Sequence, residues 1–245
     1  MKTAPPFTVV YEDDDIIAVN KASGISVCGD RWDESRDRLD TLVSGAIQPE
    51  SKIFVVHRID RETSGLVVFA RNEAAHRQLS LAFEGRDVAK RYIAIVYGRP
   101  VWHETTCDLP LIPNGNKQHL TIIDKYRGKK SLTRFTLMGS AGNLSLLEAF
   151  PETGRTHQIR VHAAALGLPV VCDSLYGSDK PVLLSAIKKN WRGDRYDERP
   201  LLTRLGLHAA GLSLISHNII APLPRDMAAL VAQMEKIGKI THTAV

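Results

Sequence analysis

Short apolar runs separated by turn-forming residues dominate the first third of the chain. Residues 7–11 and 16–20 flank an acidic turn, which predicts a β-hairpin. Residues 52–56 and 66–70 are two further apolar runs, and the polar stretch between them carries Asp60. We therefore predict two strands joined by a loop that presents Asp60.

Helices are predicted where capping residues border a run with helical spacing. Asn72 is a suitable N-cap for the first of them, and Gly85 is a suitable end. Gly167 ends the second, which begins just after Thr153-Gly154. The predicted helices cover residues 73–84, 156–166 and 225–237, while 29–40 and 188–199 are charged and predicted as loops.

The same pattern predicts further strands. In residues 91–97, Tyr92, Ala94 and Val96 fall on one face of a strand. Strands outnumber helices and do not alternate with them one for one. This favours an α+β fold with a largely antiparallel or mixed central sheet flanked by helices, rather than a doubly wound fold. The other predicted strands are 120–123, 131–138, 144–150 and 211–215.

Composition places the chain among globular proteins. Its 245 residues are 44% hydrophobic and 24% charged, and 32 basic against 27 acidic residues give a net charge of +5. This mild excess permits an anionic partner without identifying one. No repeat or linker-like stretch divides the sequence, so we expect a single domain over residues 1–245.

The sequence also predicts a cytoplasmic protein with no attachment to a membrane. Its apolar runs are shorter than a membrane span, and no apolar segment of a signal peptide precedes the first acidic run. The three cysteines, Cys28, Cys107 and Cys172, form no CxxC pair, which argues against a disulfide framework or a thiolate metal site. A reducing compartment is expected.

Several catalytic motifs are missing from the sequence. It contains no Walker A pattern, no GxGxxG after a strand and no HExxH, and Ser64 is not in a GxSxG context. His157 and His162 are five residues apart, a spacing that does not place them on one helical face for a metal.

Two polar clusters remain that apolar packing does not explain, at residues 57–65 and 153–162. In the first, Asp60 stands near Arg58 and Arg61, which favour its ionised form. An ionised, oriented carboxylate can act as a nucleophile or as an electrostatic stabiliser. The alternative is that Asp60 caps a turn and pairs with an arginine. For Arg155 and Arg160 in the second cluster, the alternative is the solvated start of a helix.

These clusters and four shorter motifs occur in the order found in one enzyme family. The chain resembles the RluA family of pseudouridine synthases over nearly its whole length. It departs from the usual family residues at four places: proline is replaced by Ala22, glycine by Cys172, and His-Pro by Leu168-Pro169 and by His217-Asn218. The matching motifs are 11–14 with 20–24, 57–65, 90–98, 153–162, 173–177, and 207–209 with 221–224.

The resemblance implies the pseudouridine synthase fold with a catalytic cleft. It also implies isomerisation of uridine to pseudouridine in ribosomal RNA, transfer RNA or both. No metal, nucleotide or redox cofactor is expected, and the enzyme is expected to act as a monomer. Many relatives carry an N-terminal S4 RNA-binding domain. Only about ten residues precede the first motif here, so no such domain is expected.

The resemblance also assigns roles to individual residues. Asp60 would be the catalytic carboxylate, acting either by attack on the sugar or by assisting loss of a ribose proton. Arg155 would pair with Asp60, and Tyr92 would lie against the target base, which must be flipped out of its stack. Arg58 would occupy the vacated space or hold the displaced strand, and Ile159 would pack against the base or the Asp60 loop.

Four basic residues are candidate phosphate contacts, although a solvated hairpin tip explains them equally well. They are Lys125, Arg127, Lys129 and Lys130.

Two other functions compete with the synthase. One is a non-catalytic RNA-binding or ribosome-assembly factor that uses the same cleft. The other is a carboxylate hydrolase of nucleosides or glycosides, which needs a second carboxylate such as Glu62 or Glu152.

Overall fold

A computed structural model describes residues 5–29, 37–47, 52–116, 120–194, 196–214 and 217–240. The chain divides into two compact units, each made of two stretches of sequence. The first unit comprises Met1–Lys90 and His208–Pro222, and the second comprises Arg91–Leu207 and Leu223–Val245. Both contain strands and helices that do not alternate regularly, so the predicted α+β class is confirmed.

The strands and helices of the described residues are named in chain order. The strands are β1 (Phe7–Glu12), β2 (Ile16–Lys21), β3 (Phe54–Val55), β4 (Ser64–Ala70), β5 (Ala89–Tyr97), β6 (Glu104–Cys107), β7 (Leu111–Ile112), β8 (Ile122–Ile123), β9 (Thr133–Ala141), β10 (Leu144–Pro151), β11 (Leu207–Leu214), β12 (His217–Ile220) and β13 (Lys239–Ile240). The helices are α1 (Leu39–Ala46), α2 (Glu73–Gly85), α3 (Gln158–Ala165), α4 (Leu184–Ile187) and α5 (Arg225–Ile237).

In the first unit, the strands run in the order β1-β2-β4-β11, with β3 beside β4 and β12 beside β11. The pairs are antiparallel except for β4 and β11, which are parallel. Every residue of β4 is buried, as expected for a central strand. Leu79 of α2 packs in the same apolar cluster as Leu66 and Val68 of β4. The predicted hairpin and the strand after Asp60 are confirmed.

The boundaries of α2 show how this unit uses capping residues. The Asn72 side chain accepts a hydrogen bond from the Ala75 amide at 2.8 Å, which confirms it as the N-cap. At the other end, the left-handed residue is Arg86, with φ of 67°, whereas the sequence predicted that Gly85 stops the helix. Gly85 is the last helical residue, so the prediction was wrong by one position.

The second unit contains the strand order β5-β10-β9-β13, with β6 beside β9, all antiparallel. Its core includes Ala94 and Val96 of β5 and Phe135 of β9, with Tyr92 packed against them. The predicted face of β5 is therefore confirmed. Helix α5 has the predicted bounds. Helix α3 begins at Gln158, two residues later than predicted, because His157 has a left-handed φ of 54°.

Several elements were not predicted, among them α1, α4, β6, β7, β12 and β13. Helix α1 begins at Leu39, inside the predicted loop 29–40, of which residues 30–36 lie outside the described part. Strand β11 begins at Leu207 instead of residue 211, because His208-Ala209-Ala210 has little intrinsic strand propensity and is fixed by tertiary pairing. Ala209 pairs with Gly65, where a Cβ atom would collide with the Ala209 backbone.

No helix in the described residues has the length and apolar character required to cross a bilayer.

Candidate active site

Asp60 lies on a loop between β3 and β4 in the first unit. The Asp60 residue is half-buried, whereas Arg58 and Arg61 are exposed. Ile59 is 6% exposed and anchors the loop to the protein, and the Thr63 amide donates to the Asp60 carbonyl at 3.1 Å. The Asp60 carboxylate therefore lies on a short turn that the buried side chain of Ile59 holds in place.

A buried lysine fixes the segment that follows Asp60. Lys21, the last residue of β2, is 1% exposed. Its ammonium group donates to the carbonyl oxygens of Ala22 at 2.9 Å, Ile25 at 2.8 Å and Arg61 at 2.9 Å. Charge-assisted hydrogen bonds of this kind compensate the cost of burying the cation. The residue after Asp60 is thus tied to the end of β2.

The turn after β2 adds three hydrogen bonds to the same segment. Ser23 Oγ donates to the Glu62 carbonyl at 2.7 Å, and the Gly24 amide donates to the Arg61 carbonyl at 2.9 Å. In return, Arg61 Nε donates to the Gly24 carbonyl at 2.9 Å. The turn after β2 therefore supports the Asp60 loop, a role that is visible only in the structure.

Histidines fix both ends of the Asp60 loop. His57 Nε2 accepts from the Val68 amide at 2.9 Å, and its ring stacks on Phe83 with 4.6 Å between centroids. Burial, and to a lesser degree the charge of Lys90, lowers the pKa of His57 to about 3, so this ring is neutral near pH 7. At the other end, His208 Nδ1 lies 3.0 Å from Ser64 Oγ.

The hydrogen bonds of His208 define its tautomer. Its Nε2 lies 3.1 Å from the carbonyl oxygen of Ala221, which can only accept. Nε2 must therefore carry a proton, and in the neutral ring Ser64 donates to Nδ1. This buried pair joins the start of β4, four residues after Asp60, to β11.

In the second unit, Gln158 organises the chain around Arg155. The Gln158 side chain is buried, and its Oε1 accepts from the Arg155 amide at 3.0 Å and from Thr153 Oγ1 at 2.7 Å. Its Nε2 donates to the Leu132 carbonyl and to Thr133 Oγ1, both at 2.9 Å. Because all its hydrogen-bonding positions are occupied, Gln158 fixes the backbone that carries Arg155.

This network continues to a buried histidine. Thr133 Oγ1 accepts from Gln158 and lies 2.9 Å from His162 Nδ1, to which it donates because the proton of the neutral ring is on Nε2. His162 Nε2 donates to the Leu109 carbonyl at 2.9 Å, and burial lowers the pKa of His162. A neutral histidine with a defined tautomer therefore holds α3 against β9.

Arg160 forms a buried ion pair with Asp173. Two hydrogen bonds of 2.6 and 2.7 Å join them, and the side chains are 4% and 0% exposed. Burial alone would raise the pKa of Asp173, but the hydrogen bonds and charge of Arg160 hold it below its ordinary value. The Tyr176 ring lies over the guanidinium group at 5.2 Å. The alternative of a solvated helix start is therefore wrong for Arg160.

The other predicted residues differ in their surroundings. Tyr92 is half-buried on β5, opposite Ala149 of β10. Arg155 is also half-buried, and its Nε donates to the Lys130 carbonyl at 3.3 Å. Ile159 is 6% exposed and lies in the apolar cluster of the second unit.

The four predicted phosphate contacts are all exposed in the segment between β8 and β9. Arg127 is paired with Asp124 at 2.8 Å, whereas Lys125, Lys129 and Lys130 are exposed in the same turn.

Sequence reasoning missed two residues of the site, Lys21 and Gln158. The available signal was a charged or amide residue close to a glycine-containing turn. Of the predicted site residues, Asp60 and Arg58 belong to the first unit, and all the others belong to the second.

Within the described residues, no three side chains of histidine, cysteine, aspartate or glutamate are grouped to hold a metal ion. The arrangement offers instead a partly exposed carboxylate on a fixed loop, and a partly exposed arginine and tyrosine on fixed backbone.

Comparison with known proteins identifies relatives. A family model described as RNA pseudouridylate synthase matches residues 15–165. The dual-specificity RNA pseudouridine synthase RluA of Escherichia coli is 38% identical over 179 residues, covering 71% of this chain and 78% of that protein. The ribosomal large subunit pseudouridine synthase C of Rickettsia bellii is 36% identical over 174 residues, covering 70% of this chain. This chain spans 57% of the length of that relative.

The fold is also similar to that of a solved pseudouridylate synthase domain. The human RNA pseudouridylate synthase domain containing 1 has a TM-score of 0.73 and is 26% identical, covering 100% of this chain and 94% of the human chain. The range matched by the family model, residues 15–165, contains Asp60, Tyr92 and Arg155.

Proposed function

The chain belongs to the RNA pseudouridylate synthase family, and we propose that it isomerises specific uridines to pseudouridine with Asp60 as the essential carboxylate. The observation that carries this assignment is the Asp60 loop. Lys21, Ser23 and Gly24 bind the two residues after Asp60, while the aspartate itself remains partly exposed. Fixed backbone beneath an accessible carboxylate supports a catalytic role, because reacting groups must be held in a productive geometry.

Isomerisation requires that the bond from ribose C1′ to uracil N1 break and that a bond from C1′ to C5 replace it. In one route, an Asp60 oxygen bonds to C1′ while the C1′–N1 electron pair leaves with uracil. The base turns and C5 attacks C1′, which releases the carboxylate. C5 then loses its proton and N1 gains one, so the enzyme is regenerated.

In the second route, Asp60 removes the proton from ribose C2′ as the base leaves, and returns it when C5 bonds to C1′. Deuterium at ribose C2′ separates the two routes. A primary isotope effect on the single-turnover rate supports proton removal, and its absence supports attack on C1′.

The remaining site residues are proposed to act around this carboxylate. Arg155 keeps Asp60 ionised and oriented, and Tyr92 holds the uracil ring through its aromatic face. Arg58, which is exposed beside Asp60, occupies the space left by the flipped nucleotide. Ile159 supports the base from the apolar side. Lys125, Arg127, Lys129 and Lys130 contact phosphates.

We propose ribosomal RNA as a substrate, since the Rickettsia bellii relative is named for the large ribosomal subunit. The resemblance to the RluA family adds transfer RNA as a second substrate class. The protein is proposed to act as a monomeric single domain in the cytoplasm. Its three cysteines are free thiols, in keeping with a reducing compartment.

The test is pseudouridine formation in transcribed RNA by the wild type, Asp60→Asn and Glu62→Gln. Asp60→Asn should reduce formation below detection with little change in RNA affinity, whereas Glu62→Gln, an exposed neighbour, should stay near wild type. Pseudouridine formed by Asp60→Asn would contradict the assignment. Release of free uracil would favour the hydrolase, and RNA binding by a wild type that forms no pseudouridine would favour the non-catalytic factor. Comparing pseudouridine maps of total RNA with and without the gene identifies the target uridine.

A further inference from the structure

An exposed tyrosine stands among cations in the second unit. Residues 124–130, named here the Tyr126 turn, link β8 to the segment before β9. The side chain of Tyr126 is almost fully exposed, at 98%. Lys125, Lys129 and Lys130 are exposed around it, and the seven residues carry a net charge of +3. An aromatic face bordered by cations is the combination that binds single-stranded nucleic acid.

The Tyr126 turn is held rigidly. Asp124 Oδ1 accepts from the amides of Tyr126 and Arg127, both at 2.9 Å, and Asp124 Oδ2 accepts from Arg127 Nε at 2.9 Å. The Gly128 amide donates to the Asp124 carbonyl at 2.9 Å. Because the backbone is already ordered, binding a base to Tyr126 costs little additional conformational entropy.

Both ends of the Tyr126 turn are tied to buried backbone. The Asp124 amide donates to the Pro110 carbonyl at 3.1 Å. Lys129 exchanges two backbone hydrogen bonds, of 2.8 and 3.0 Å, with Leu111, whose side chain is fully buried. The tyrosine is thus presented by a fixed base and not by a loose loop.

The Tyr126 turn is continuous with one of the proposed active-site residues. Arg155 Nε donates to the carbonyl of Lys130, the last residue of the turn, at 3.3 Å. If the target nucleotide of a bound RNA lies near Arg155, the nucleotides next to it therefore lie close to the Tyr126 turn.

A second exposed tyrosine provides an internal comparison. Tyr196 is also fully exposed, and its amide donates to Asp194 Oδ1 at 2.9 Å, as the Tyr126 amide does to Asp124. The sequence around it differs in charge, because residues 194–200 carry a net charge of −1. The same hydrogen bond is therefore present beside an exposed tyrosine in a segment that lacks the positive net charge of the Tyr126 turn.

We propose that the Tyr126 turn is a binding surface for single-stranded RNA. The Tyr126 ring stacks on an unpaired base, and Lys125, Lys129 and Lys130 neutralise neighbouring phosphates. The inference rests on the proposed function only in taking RNA as the substrate. It adds a stacking residue and a location outside the reacting groups.

The test measures binding of a labelled oligouridylate of about 12 nucleotides, a length suited to a single-stranded site. Tyr126→Ala should weaken binding roughly 5- to 100-fold, the range for loss of one stacked base, and Tyr126→Phe should stay within about twofold of wild type. Tyr196→Ala is the matched control and should bind like the wild type. Thermal unfolding should be unchanged in all three variants, since both tyrosines are exposed.

Salt dependence separates stacking from charge. Tyr126→Ala should keep the slope of log K against log salt concentration, whereas Lys125→Gln should reduce it by about 0.7, the contribution of one phosphate on a single strand. Binding by Tyr126→Ala that equals wild type at every salt concentration overturns the proposal. An equal loss in Tyr196→Ala also overturns it, because the effect would then be general to exposed tyrosines.

Pseudouridine formation by the wild type is measured in parallel. If the wild type isomerises uridine while Tyr126→Ala binds RNA normally, only this inference fails. If the wild type forms no pseudouridine while Tyr126→Ala loses RNA affinity, the proposed function fails and the binding surface is supported.

Discussion

Lys21 Nζ lies 2.9 Å from the carbonyl oxygen of Arg61, the residue that follows Asp60. The two residues are forty positions apart, and the lysine is almost completely buried. The ammonium group also donates to two further carbonyls, of Ala22 and Ile25. The buried cation therefore binds backbone on both sides of the turn, and these hydrogen bonds fix the path of the loop that carries Asp60.

Replacing Lys21 by methionine keeps the length of the side chain but leaves three partly buried carbonyl groups without this donor. We expect the free energy of unfolding to fall by about 2–4 kcal/mol, because polar groups shielded from water are costly when they lose a charged partner. The rate of pseudouridine formation should fall further than RNA affinity, since the Asp60 backbone loses its support. Urea unfolding and single-turnover kinetics measure the two effects.

Lys52→Met is the control, because Lys52 is exposed just before β3. It should change stability by less than about 0.5 kcal/mol. A Lys21→Met variant as stable and active as the wild type would contradict the role given to Lys21.

The sequence made Asp60 recognisable but not the residues that support it. Asp60 stands in a long polar motif between two apolar strands, which is visible in the sequence alone. The partners of Lys21 and most partners of Gln158 are backbone groups and hydroxyls, which leave no mark in residue type. Such contacts depend on which distant segments the fold brings together.

The same reason explains why β11 was placed too late. His208-Ala209 is paired in parallel with Ser64-Gly65, more than 140 positions earlier in the chain. Neither alanine nor glycine favours a strand on its own, so only the long-range pairing makes this segment extended. By contrast, α2 and α5 depend on local spacing and capping, and their positions were predicted almost residue by residue.

Tyr92 is expected to act through its ring more than through its hydroxyl. Tyr92→Phe preserves the aromatic face, whereas Tyr92→Ala removes it and should lower kcat/KM roughly 5- to 100-fold below the phenylalanine variant. Steady-state kinetics on transcribed RNA measure the difference. Tyr97→Phe, at the end of the same strand, is the control for loss of a hydroxyl and should resemble wild type. Equal activity of the two Tyr92 variants would contradict stacking.

The buried pair of Arg160 and Asp173 makes a prediction about stability. Arg160→Met leaves a fully buried carboxylate without its partner, which should cost about 3–5 kcal/mol in the free energy of unfolding. Adding Asp173→Asn removes the unpaired charge, so the double variant should regain part of that loss. Denaturant unfolding of the three proteins measures both steps. A double variant less stable than Arg160→Met would show that the charge pair is not the source of the effect.

Cys172 has a left-handed backbone, with φ of 55°, at a position where the resembled family usually has glycine. Cys172→Gly and Cys172→Ala both remove the buried thiol, but only glycine relieves the backbone strain. The glycine variant should be more stable than the alanine variant by about 1 kcal/mol. At Cys107, in strand β6, the order should reverse, because glycine is unfavourable in an ordinary strand. Thermal unfolding of the four variants measures the stability difference between glycine and alanine at each position. We expect glycine to be the more stable at position 172 and alanine at position 107.

The neutral state of the His57 ring in the folded protein predicts acid sensitivity. Its pKa is about 3 in the folded protein against about 6.5 in an unfolded chain, so the unfolded chain binds the proton first as pH falls. Stability is therefore complete above about pH 6.5 and declines toward pH 3, by about 2 kcal/mol between pH 6.5 and 4.5 from this residue. His162, whose pKa is also lowered, adds a loss in the same direction.

His57→Gln retains an acceptor for the Val68 amide but cannot take up a proton. Urea unfolding at pH 6.5 and 4.5 should show a smaller loss of stability in this variant than in the wild type, with the remainder due to His162 and other groups. If the wild type and His57→Gln lose the same stability over this interval, His57 titrates normally in the folded protein. Protonation would then remove the hydrogen bond that Nε2 accepts from the Val68 amide at little cost in stability.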